Sequence, residues 1–209
     1  MTDRKAALFI TLEGGDGSGK STQSARLTGW LTDAGHTVVV TREPGGTSLG
    51  LELRDIVLHR RGEIAPRAEA LLYAADRAHH IATVVRPALE RGDIVVQDRY
   101  IDSSVAYQGA GRVLDGGEVR NISLWAAEGL VPDLTVLLDL SAENGRQRIA
   151  STRDTYDRLE AEENDFHERV RASFLALAEA EPSRFLVLDA RDSIETIAEA
   201  IRERVSALL

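Results

Sequence analysis

Five short runs of aliphatic residues recur along the chain, and each predicts a β-strand. They occupy residues 8–12, 37–41, 94–97, 134–138 and 185–188. The runs are nearly continuous in apolar residues instead of alternating, which is typical of strands buried on both faces. Stretches with helical periodicity separate them. The pattern predicts the α/β fold class: a five-stranded parallel sheet flanked by helices on both faces.

Two of the intervening stretches have clear helical signatures. The last one places its apolar residues on one face, at Ile194, Ile197, Ala198, Ile201 and Val205. Asp192 and Glu195 have the spacing of a capping box, which predicts the start of this helix. An earlier helix is expected over residues 67–85, ended or kinked by Pro87. Its predicted buried stripe consists of Leu71, Ala75, Ala78 and Ala82.

A polar segment at residues 151–160 interrupts the helical patterns near the C-terminal third of the chain. It has no apolar period, and it contains neither Gly nor Pro that would make it a plain turn. We predict that it is a short, mobile lid. No repeat or linker divides the chain, and 209 residues with 43% hydrophobic content suffice for one core. A single domain spanning residues 1–209 is therefore expected.

Charge and cysteine content narrow the possible partners. Lys and Arg number 25 against 34 Asp and Glu, and the resulting net charge of −9 would repel nucleic acid. The chain has no cysteine, which excludes disulfides and thiolate metal sites and fits a reducing compartment. The first apolar run is too short for a signal peptide or a membrane span. We therefore expect a cytoplasmic protein with no nucleic-acid or membrane partner.

A glycine-rich loop after the first predicted strand indicates nucleotide chemistry. Residues 14–21 fit the phosphate-loop pattern G-x-x-x-x-G-K-[ST] between a predicted strand and a predicted helix, which argues against a chance match. The loop's backbone N–H groups and Lys20 suit the phosphates of ATP, and Ser21 suits Mg²⁺. The predicted ATP-binding residues are Gly14, Gly15, Asp16, Gly17, Ser18, Gly19, Lys20, Ser21 and Thr22.

Several other residues allow both a functional and an ordinary interpretation. Asp16 either contacts a ligand group such as a sugar hydroxyl or points into water. Asp98 and Arg99 end a predicted strand, where α/β sheets collect ligands, but they could also form a structural ion pair. Tyr73 and Arg77, four residues apart on one predicted helix, could hold a base and a phosphate. Equally, Tyr73 could belong to the core and Arg77 to a surface ion pair.

The combination of motifs resembles the bacterial thymidylate kinase family. The matching segments are residues 14–21, 41–47, 75–78, 98–100, 103–109, 157–160, 166 and 168–171, in the family's order and spacing. The resemblance covers nearly the whole chain. It implies a P-loop kinase fold, ATP and dTMP as substrates, dTDP and ADP as products, Mg²⁺ as cofactor and a homodimer.

The resemblance also implies residue roles. Asp16 is expected to meet the deoxyribose 3′-hydroxyl, Tyr73 to stack on thymine and Arg77 to read the base edge. Arg99 would contact the acceptor phosphate, and Asp98 would lie near Mg²⁺ with Ser21. The full predicted dTMP set is Asp16, Glu43, Pro44, Arg54, Tyr73, Arg77, Arg99, Ser103, Ser104, Tyr107 and Gln108. Ser104 stands where some relatives carry Asn, and Tyr73 where many carry Phe.

The source of a catalytic arginine differs among members of this family. Some carry it in the phosphate loop, but here Gly17 follows Asp16, so the lid is expected to supply it. Arg153 is the first candidate, and Arg158 is second because Asp157 and Glu160 could hold it in a structural role. The predicted catalytic residues are Lys20, Asp16, Arg99, Arg153 and Arg158.

Two kinds of rival function stay open at this point. Another acceptor, such as dUMP, UMP or a deoxynucleoside, would use the same phosphate loop with different pocket residues. A nucleotide-binding switch is a different class, but the chain lacks the Asn-Lys-x-Asp element that reads guanine.

Overall fold

The central element of the computed structural model is a five-stranded parallel sheet. The structure describes residues 7–60, 62–151 and 157–209. The strands are β1 (Leu8–Glu13), β2 (Val38–Arg42), β3 (Ile94–Asp98), β4 (Leu134–Asp139) and β5 (Phe185–Asp189). Their order across the sheet is β2-β3-β1-β4-β5, and every neighbouring pair is parallel. The predicted α/β class and all five predicted strands are confirmed.

Helices connect the strands in the described part of the chain. They are α1 (Lys20–Asp33), α2 (Ser48–His59), α3 (Pro66–His80), α4 (Arg86–Arg91), α5 (Ile101–Ser104), α6 (Gly116–Ala126), α7 (Ala142–Ala150), α8 (Asn164–Ala180) and α9 (Ile194–Ser206). Two π-helical segments, Ile81–Val85 and Val105–Gly111, continue α3 and α5. Within the described ranges, no helix combines the length and the apolar content needed to cross a bilayer.

Both faces of the sheet are buried against helices. Leu8, Ile10 and Leu12 of β1 pack with α1 and α9 on one face. The side chain of Phe9 points to the opposite face and packs with residues of the Ile81–Val85 segment, α4 and α5. Burial on both sides explains the nearly continuous apolar runs of β1, β3 and β4, whereas the edge strands β2 and β5 are only partly buried.

Helix α3 differs from its prediction. Leu71 is 56% exposed, and Ala75 and Ala82 are also exposed, so the predicted buried stripe is wrong. The helix instead buries a mostly polar face, which includes Tyr73 and Arg77. Apolar spacing alone misassigned the face because buried hydrogen bonds compensate the polar residues.

The start of α9 also differs from its prediction. Ser193, not Asp192, is the N-cap residue, and its Oγ accepts a hydrogen bond from the N–H of Thr196 at 3.0 Å. The Ser193 hydroxyl thus satisfies one of the free N–H groups in the first turn of the helix. Asp192 lies one residue before the N-cap position.

The strand order creates a crevice above β1. The chain runs from β1 to β2 on one side and, after β3, crosses to β4 on the other side. Open α/β sheets bind ligands at such a reversal, beyond the carboxyl ends of the strands. The phosphate loop leaves β1 at this point and leads into α1. Of the predicted lid, residues 152–156 lie outside the described residues.

Candidate active site

One cavity of about 710 Å³ lies over the carboxyl ends of the strands. Among the described residues of the predicted ATP, dTMP and metal sets, all except Gly14 and Gly15 line it. Those two glycines, the first residues of the loop, line a smaller pocket beside the end of β4. The structure thus brings together side chains from the phosphate loop, β3, α3 and the Val105–Gly111 segment in one space.

The phosphate loop has a backbone that only glycine can follow at two points. Gly14 has φ of 132°, and a Cβ there would lie 2.4 Å from the carbonyl oxygen of Leu138. Gly17 has φ of 76°, and its Cβ would lie 2.7 Å from the carbonyl oxygen of Gly145. Positive φ and close backbone approach both require the absence of a side chain. The loop is therefore held tightly against β4 and α7.

Lys20 begins α1, and its side chain folds back over the loop. Its Nζ donates to the carbonyl oxygens of Gly14 at 3.0 Å and Gly15 at 2.9 Å. Burial and the nearby Arg99 charge lower the pKa of the Lys20 ammonium. A buried cation whose hydrogen bonds go to neutral carbonyl groups gains from an anionic phosphate, which suits the predicted role at the ATP phosphates.

Asp16, Arg99 and Tyr107 form a closed set of polar contacts at the centre of the cavity. The Arg99 guanidinium donates to Asp16 Oδ1 at 2.6 Å, and the Tyr107 hydroxyl donates to Asp16 Oδ2 at 3.2 Å. Burial alone would raise the pKa of the Asp16 carboxyl, but the Arg99 and Lys20 charges lower it to about 2. Asp16 does not point into water, and Arg99 pairs with it across 83 residues of sequence.

The backbone at Arg99 is unusual. Its φ is 66°, a left-handed conformation that costs free energy for a residue other than glycine. Glu13, the last residue of β1, stabilises the turn that follows. Its carboxylate accepts hydrogen bonds from the Tyr100 N–H at 2.7 Å and from the Ser103 hydroxyl at 2.5 Å. Sequence reasoning missed Glu13, although an acidic residue ending a buried strand is a signal of a special environment.

The protonation of Glu13 gives the first testable prediction. Burial, and next the charge of Asp102, raise the pKa of Glu13 from 4.5 to about 7. Between these values the folded state binds more protons than the unfolded state, so the free energy of unfolding falls as pH rises through this window. For Glu13→Gln that fall disappears. Urea denaturation at pH 5, 6, 7 and 8 measures the free energy of unfolding of both proteins. The value for the unsubstituted protein, relative to that for Glu13→Gln, is expected to fall by roughly 2 kcal/mol from pH 5 to pH 8.

Glu195→Gln is the control for this pH series, because Glu195 pairs with Arg26 at the surface and both side chains are substantially exposed. Its curve should run parallel to that of the unsubstituted protein. A Glu13→Gln curve that is also parallel would contradict the raised pKa.

Arg77 is almost completely enclosed, with 1% of its side chain exposed. Its Nε donates to Glu43 at 2.8 Å, and its terminal nitrogens donate to Ser123 at 3.0 Å and Ser104 at 3.2 Å. The guanidinium carbon also lies 5.2 Å from the ring centroid of Tyr100. The residue is therefore neither a surface ion pair nor mobile: four neighbours fix the orientation of its planar group in the cavity wall.

Glu43 contacts more than one side chain in the cavity wall. Besides Arg77, its carboxylate contacts Nδ1 of His80 at 2.9 Å, and Nε2 of His80 lies 2.6 Å from the hydroxyl of Thr41. The chain turns at Glu43 and Pro44 through a cis peptide bond, and Arg54 donates to the Pro44 carbonyl at 3.0 Å. These contacts join the end of β2 to α2 and α3 and shape one end of the cavity.

Ser21 and Asp98, the predicted metal ligands, both line the cavity. Oδ1 of Asp98 is buried and has no hydrogen-bond partner among the described residues. A hydroxyl and a carboxylate, together with phosphate oxygens of a nucleotide, are ligands that Mg²⁺ accepts. The donor set present therefore fits a magnesium ion bound with a nucleotide.

The two predicted lid arginines have different outcomes. Arg153 lies outside the described residues. Arg158 is not among the residues that line the cavity; its Nε donates to the Val57 carbonyl at 2.8 Å, and its guanidinium pairs with Glu69. Asp157 and Glu160, which we expected to hold Arg158, instead bond to backbone N–H groups of their own turn. Arg158 thus anchors its segment to α2 and α3.

Sequence reasoning missed the far end of the cavity. It is lined by Gln23, Arg148, Ala190, Asp192, Ile194 and Ile197. Gln23 donates to the Ile194 carbonyl at 3.0 Å, and Arg148 donates to the Ala190 carbonyl at 2.8 Å. These contacts join α1 to the first residue of α9 and α7 to the loop between β5 and α9. No local motif marks these residues, because their chain segments lie far apart in sequence.

Comparison with known proteins gives a consistent result. The thymidylate kinase family model matches residues 12–201. The thymidylate kinase of Clavibacter michiganensis is 71% identical over 202 residues, covering 97% of this chain and 96% of the relative. That of Cutibacterium acnes is 54% identical over 203 residues, covering 97% and 98%. The crystal structure of thymidylate kinase from Ehrlichia chaffeensis matches with a TM-score of 0.79 and 30% identity, covering 98% of this chain and all of that one.

Proposed function

The chain belongs to the thymidylate kinase family, and from that premise we propose which of its residues hold each substrate and act on the transferred group. The enzyme transfers the γ-phosphoryl group of ATP to dTMP and releases dTDP and ADP. The observation that carries the assignment of residues is the cavity whose lining includes residues 16–21 of the phosphate loop together with Tyr73 and Arg77.

ATP is assigned to the side of the cavity formed by the phosphate loop. The N–H groups at the start of α1 and the Lys20 ammonium face the β- and γ-phosphates, where the helix dipole adds to the positive potential. The far end of the cavity, between α1 and the loop before α9, then receives the adenosine part. This assignment uses the whole length of the cavity and leaves the β3 and α3 side for the acceptor.

dTMP is assigned to the wall of the cavity that faces α3. Tyr73 offers an aromatic face for the base, and burial and the charge of Glu69 raise the pKa of its phenol, so its ring stays uncharged. Arg77 presents a fixed guanidinium to the base edge. Asp16 is placed for the sugar hydroxyl and Arg99 for the 5′-phosphate. Ser103, Ser104, Tyr107, Gln108, Glu43, Pro44 and Arg54 complete the proposed pocket.

Transfer in this arrangement depends on positioning and charge. The acceptor oxygen belongs to a phosphate that is ionised at neutral pH, so no strong general base is needed. Lys20 and Arg99, whose charges both act on Asp16, stabilise negative charge that spreads over the transferred group. Arg153 as a further cationic contact from the lid stays a prediction.

Magnesium is proposed as the metal cofactor that accompanies ATP. Ser21 and Asp98 would hold it, since both line the cavity and Oδ1 of Asp98 has no partner among the described residues. When bound, the ion supplies positive charge at the β- and γ-phosphate oxygens.

An acceptor panel tests the proposed pocket. ADP formation from Mg·ATP is measured with dTMP, dUMP, UMP, CMP, AMP, GMP and thymidine at equal concentration. We expect strong preference for dTMP and ATP hydrolysis without acceptor far below the kinase rate. Preference for another nucleotide would contradict the assignment of Asp16, Tyr73 and Arg77, and no stimulation by any acceptor would favour a nucleotide-binding switch.

A homodimer is proposed through α3. Leu71 and Ala75 are exposed on this helix, as is Ala82 in the Ile81–Val85 segment that continues it, and Trp125 on neighbouring α6 is 81% exposed. An apolar stripe of this kind is typical of a surface that a partner covers, and a second copy with the same stripe fits a two-fold interface.

Leu71→Lys tests the dimer. In sedimentation experiments the unsubstituted protein is expected at twice the chain mass, and Leu71→Lys at the mass of one chain, because a charge at the centre of an apolar contact is costly. Glu118→Lys serves as control on a polar part of α6. A single-chain mass for the unsubstituted protein would refute the proposal.

We also propose one domain and a cytoplasmic location, which its soluble nucleotide substrates and lack of cysteine support.

A further inference from the structure

Glu69 is a completely buried carboxylate that none of the roles above includes. It lies in the first turn of α3, and 0% of its side chain is exposed. Gln108 Nε2 donates to Oε1 at 2.9 Å, and the Arg158 guanidinium donates to Oε2. Arg112 contacts the same carboxylate at 3.3 Å. Three side chains from two other parts of the chain therefore meet at one anion.

The charges around Glu69 are balanced. Arg112 also pairs with Glu162 at 2.5 Å, so the cluster contains two guanidinium groups and two carboxylates. The Arg112 guanidinium carbon lies 5.1 Å from the ring centroid of Phe166, which fixes it further. A buried charge with complete partners is tolerated, whereas removing one partner is costly. The cluster is therefore a rigid junction between α3, the Val105–Gly111 segment and the approach to α8.

One consequence concerns the orientation of Gln108, which lines the cavity. As the anion partner of two guanidinium groups, Glu69 can only accept hydrogen bonds. The Gln108 amide must then present its nitrogen to Glu69, which directs its carbonyl oxygen away from Glu69 and leaves that oxygen to accept from a ligand. A neutral glutamine at position 69 would permit both orientations of the Gln108 amide.

The other consequence concerns the chain around Arg158. The Arg158 N–H donates to the Leu58 carbonyl at 3.1 Å, and its guanidinium joins Glu69. Its neighbours Asp157 and Leu159 line the cavity. The Glu69 carboxylate thus fixes the position of two separate parts of the cavity wall: the Gln108 side and the Asp157–Leu159 side.

We propose that Glu69 is a positioning residue for the acceptor nucleotide. It acts by orienting the Gln108 amide and by anchoring Arg158, and with it the Asp157–Leu159 side of the cavity wall. It touches no substrate itself. The inference rests on the proposed placement of dTMP beside α3 and Gln108. It predicts a change in dTMP binding that loss of packing alone would not produce.

The test is a double-mutant cycle of Glu69→Gln and Gln108→Ala in the full-length enzyme. We measure KM for dTMP and for ATP, kcat, the melting temperature, and dTMP affinity by calorimetry. Glu69→Gln should raise the KM for dTMP about tenfold, as expected for one misdirected buried hydrogen bond, and leave the KM for ATP within about twofold. In the Gln108→Ala background the same substitution should raise the KM for dTMP clearly less than tenfold, because the route through Gln108 is already absent and only the anchoring of Arg158 is left to lose.

Controls separate positioning from packing. Glu118→Gln removes an exposed carboxylate that pairs with Arg67 at 3.6 Å, and should change none of these values. If Glu69→Gln does not fold, Glu69→Asp carries the test: it keeps the charge, shortens the reach, and should still raise the KM for dTMP severalfold.

Several results would overturn the inference. One is a lower melting temperature of Glu69→Gln with an unchanged KM for dTMP. Another is an equal rise of the KM for dTMP and the KM for ATP. A third is a double variant in which the effects of Glu69→Gln and Gln108→Ala on the KM for dTMP simply multiply. These outcomes leave the proposed function intact if the unsubstituted enzyme phosphorylates dTMP. An unsubstituted enzyme that ignores dTMP in the acceptor panel would instead remove the proposed function, and the inference with it.

Discussion

Replacing Lys20 by methionine is expected to lower kcat ~1,000-fold, which is the range for loss of one preorganised charge at a reacting centre. The Lys20 ammonium is buried and donates to two loop carbonyls, and a phosphate of the substrate adds a direct anionic partner. Methionine has a similar length and relieves the burial of charge. The melting temperature should therefore change little, and single-turnover kinetics with saturating ATP and dTMP measure the chemical step.

Arg26→Met is the matched control for Lys20→Met. Arg26 lies on the same helix, and its partner Glu195 is exposed, so its loss should leave kcat unchanged. Lys20→Arg keeps the charge but not its compact shape, and should recover only part of the rate. A kcat for Lys20→Met within tenfold of the unsubstituted enzyme would contradict the role of Lys20 in transfer.

Arg77→Met is expected to reduce the free energy of unfolding by about 3–5 kcal/mol, the usual cost of leaving a buried charge without its partner. Glu43 is 2% exposed, and it would lose the hydrogen bond that Nε of Arg77 donates to it. Ser104 and Ser123 would lose the hydrogen bonds that they accept from Arg77. The melting temperature should fall by roughly 10 °C for a chain of this length. The variant should also bind dTMP more weakly, since the base edge loses its fixed cation.

The double variant Glu43→Gln/Arg77→Met separates charge from volume. If the uncompensated Glu43 carboxylate causes most of the loss, removing it as well should recover part of the free energy of unfolding. Arg26→Met, which breaks an exposed pair, should cost well under 1 kcal/mol. Losses for Arg77→Met no larger than this control would show that the buried pair contributes little.

Local sequence patterns were sufficient for the sheet and the phosphate loop. All five apolar runs form strands, and in β1, β3 and β4 nearly every residue is buried, so the local composition alone indicates them. The phosphate loop was visible because its requirements, positive φ at Gly14 and Gly17 and a lysine at the helix start, involve neighbouring residues only. Such features need no knowledge of distant contacts.

Side-chain partners were the part that local patterns did not contain. The polar face of α3 is buried because Glu43, 34 residues earlier, compensates Arg77. Leu71, which the apolar period placed inside, is exposed because the helix buries its mostly polar face instead. Arg158 was considered for catalysis from its position in a polar segment, yet its partner Glu69 lies 89 residues earlier.

The sequence alone therefore determined the α/β class, the parallel sheet, the phosphate loop and, through its resemblance to a family, the reaction. Only the tertiary structure decided how Asp16 pairs with Arg99, how four neighbours hold Arg77 and which carboxylate holds Arg158. The reason is physical: strand burial and loop conformation are set within a few residues, while a buried charge is stable only beside partners that the fold brings from far along the chain.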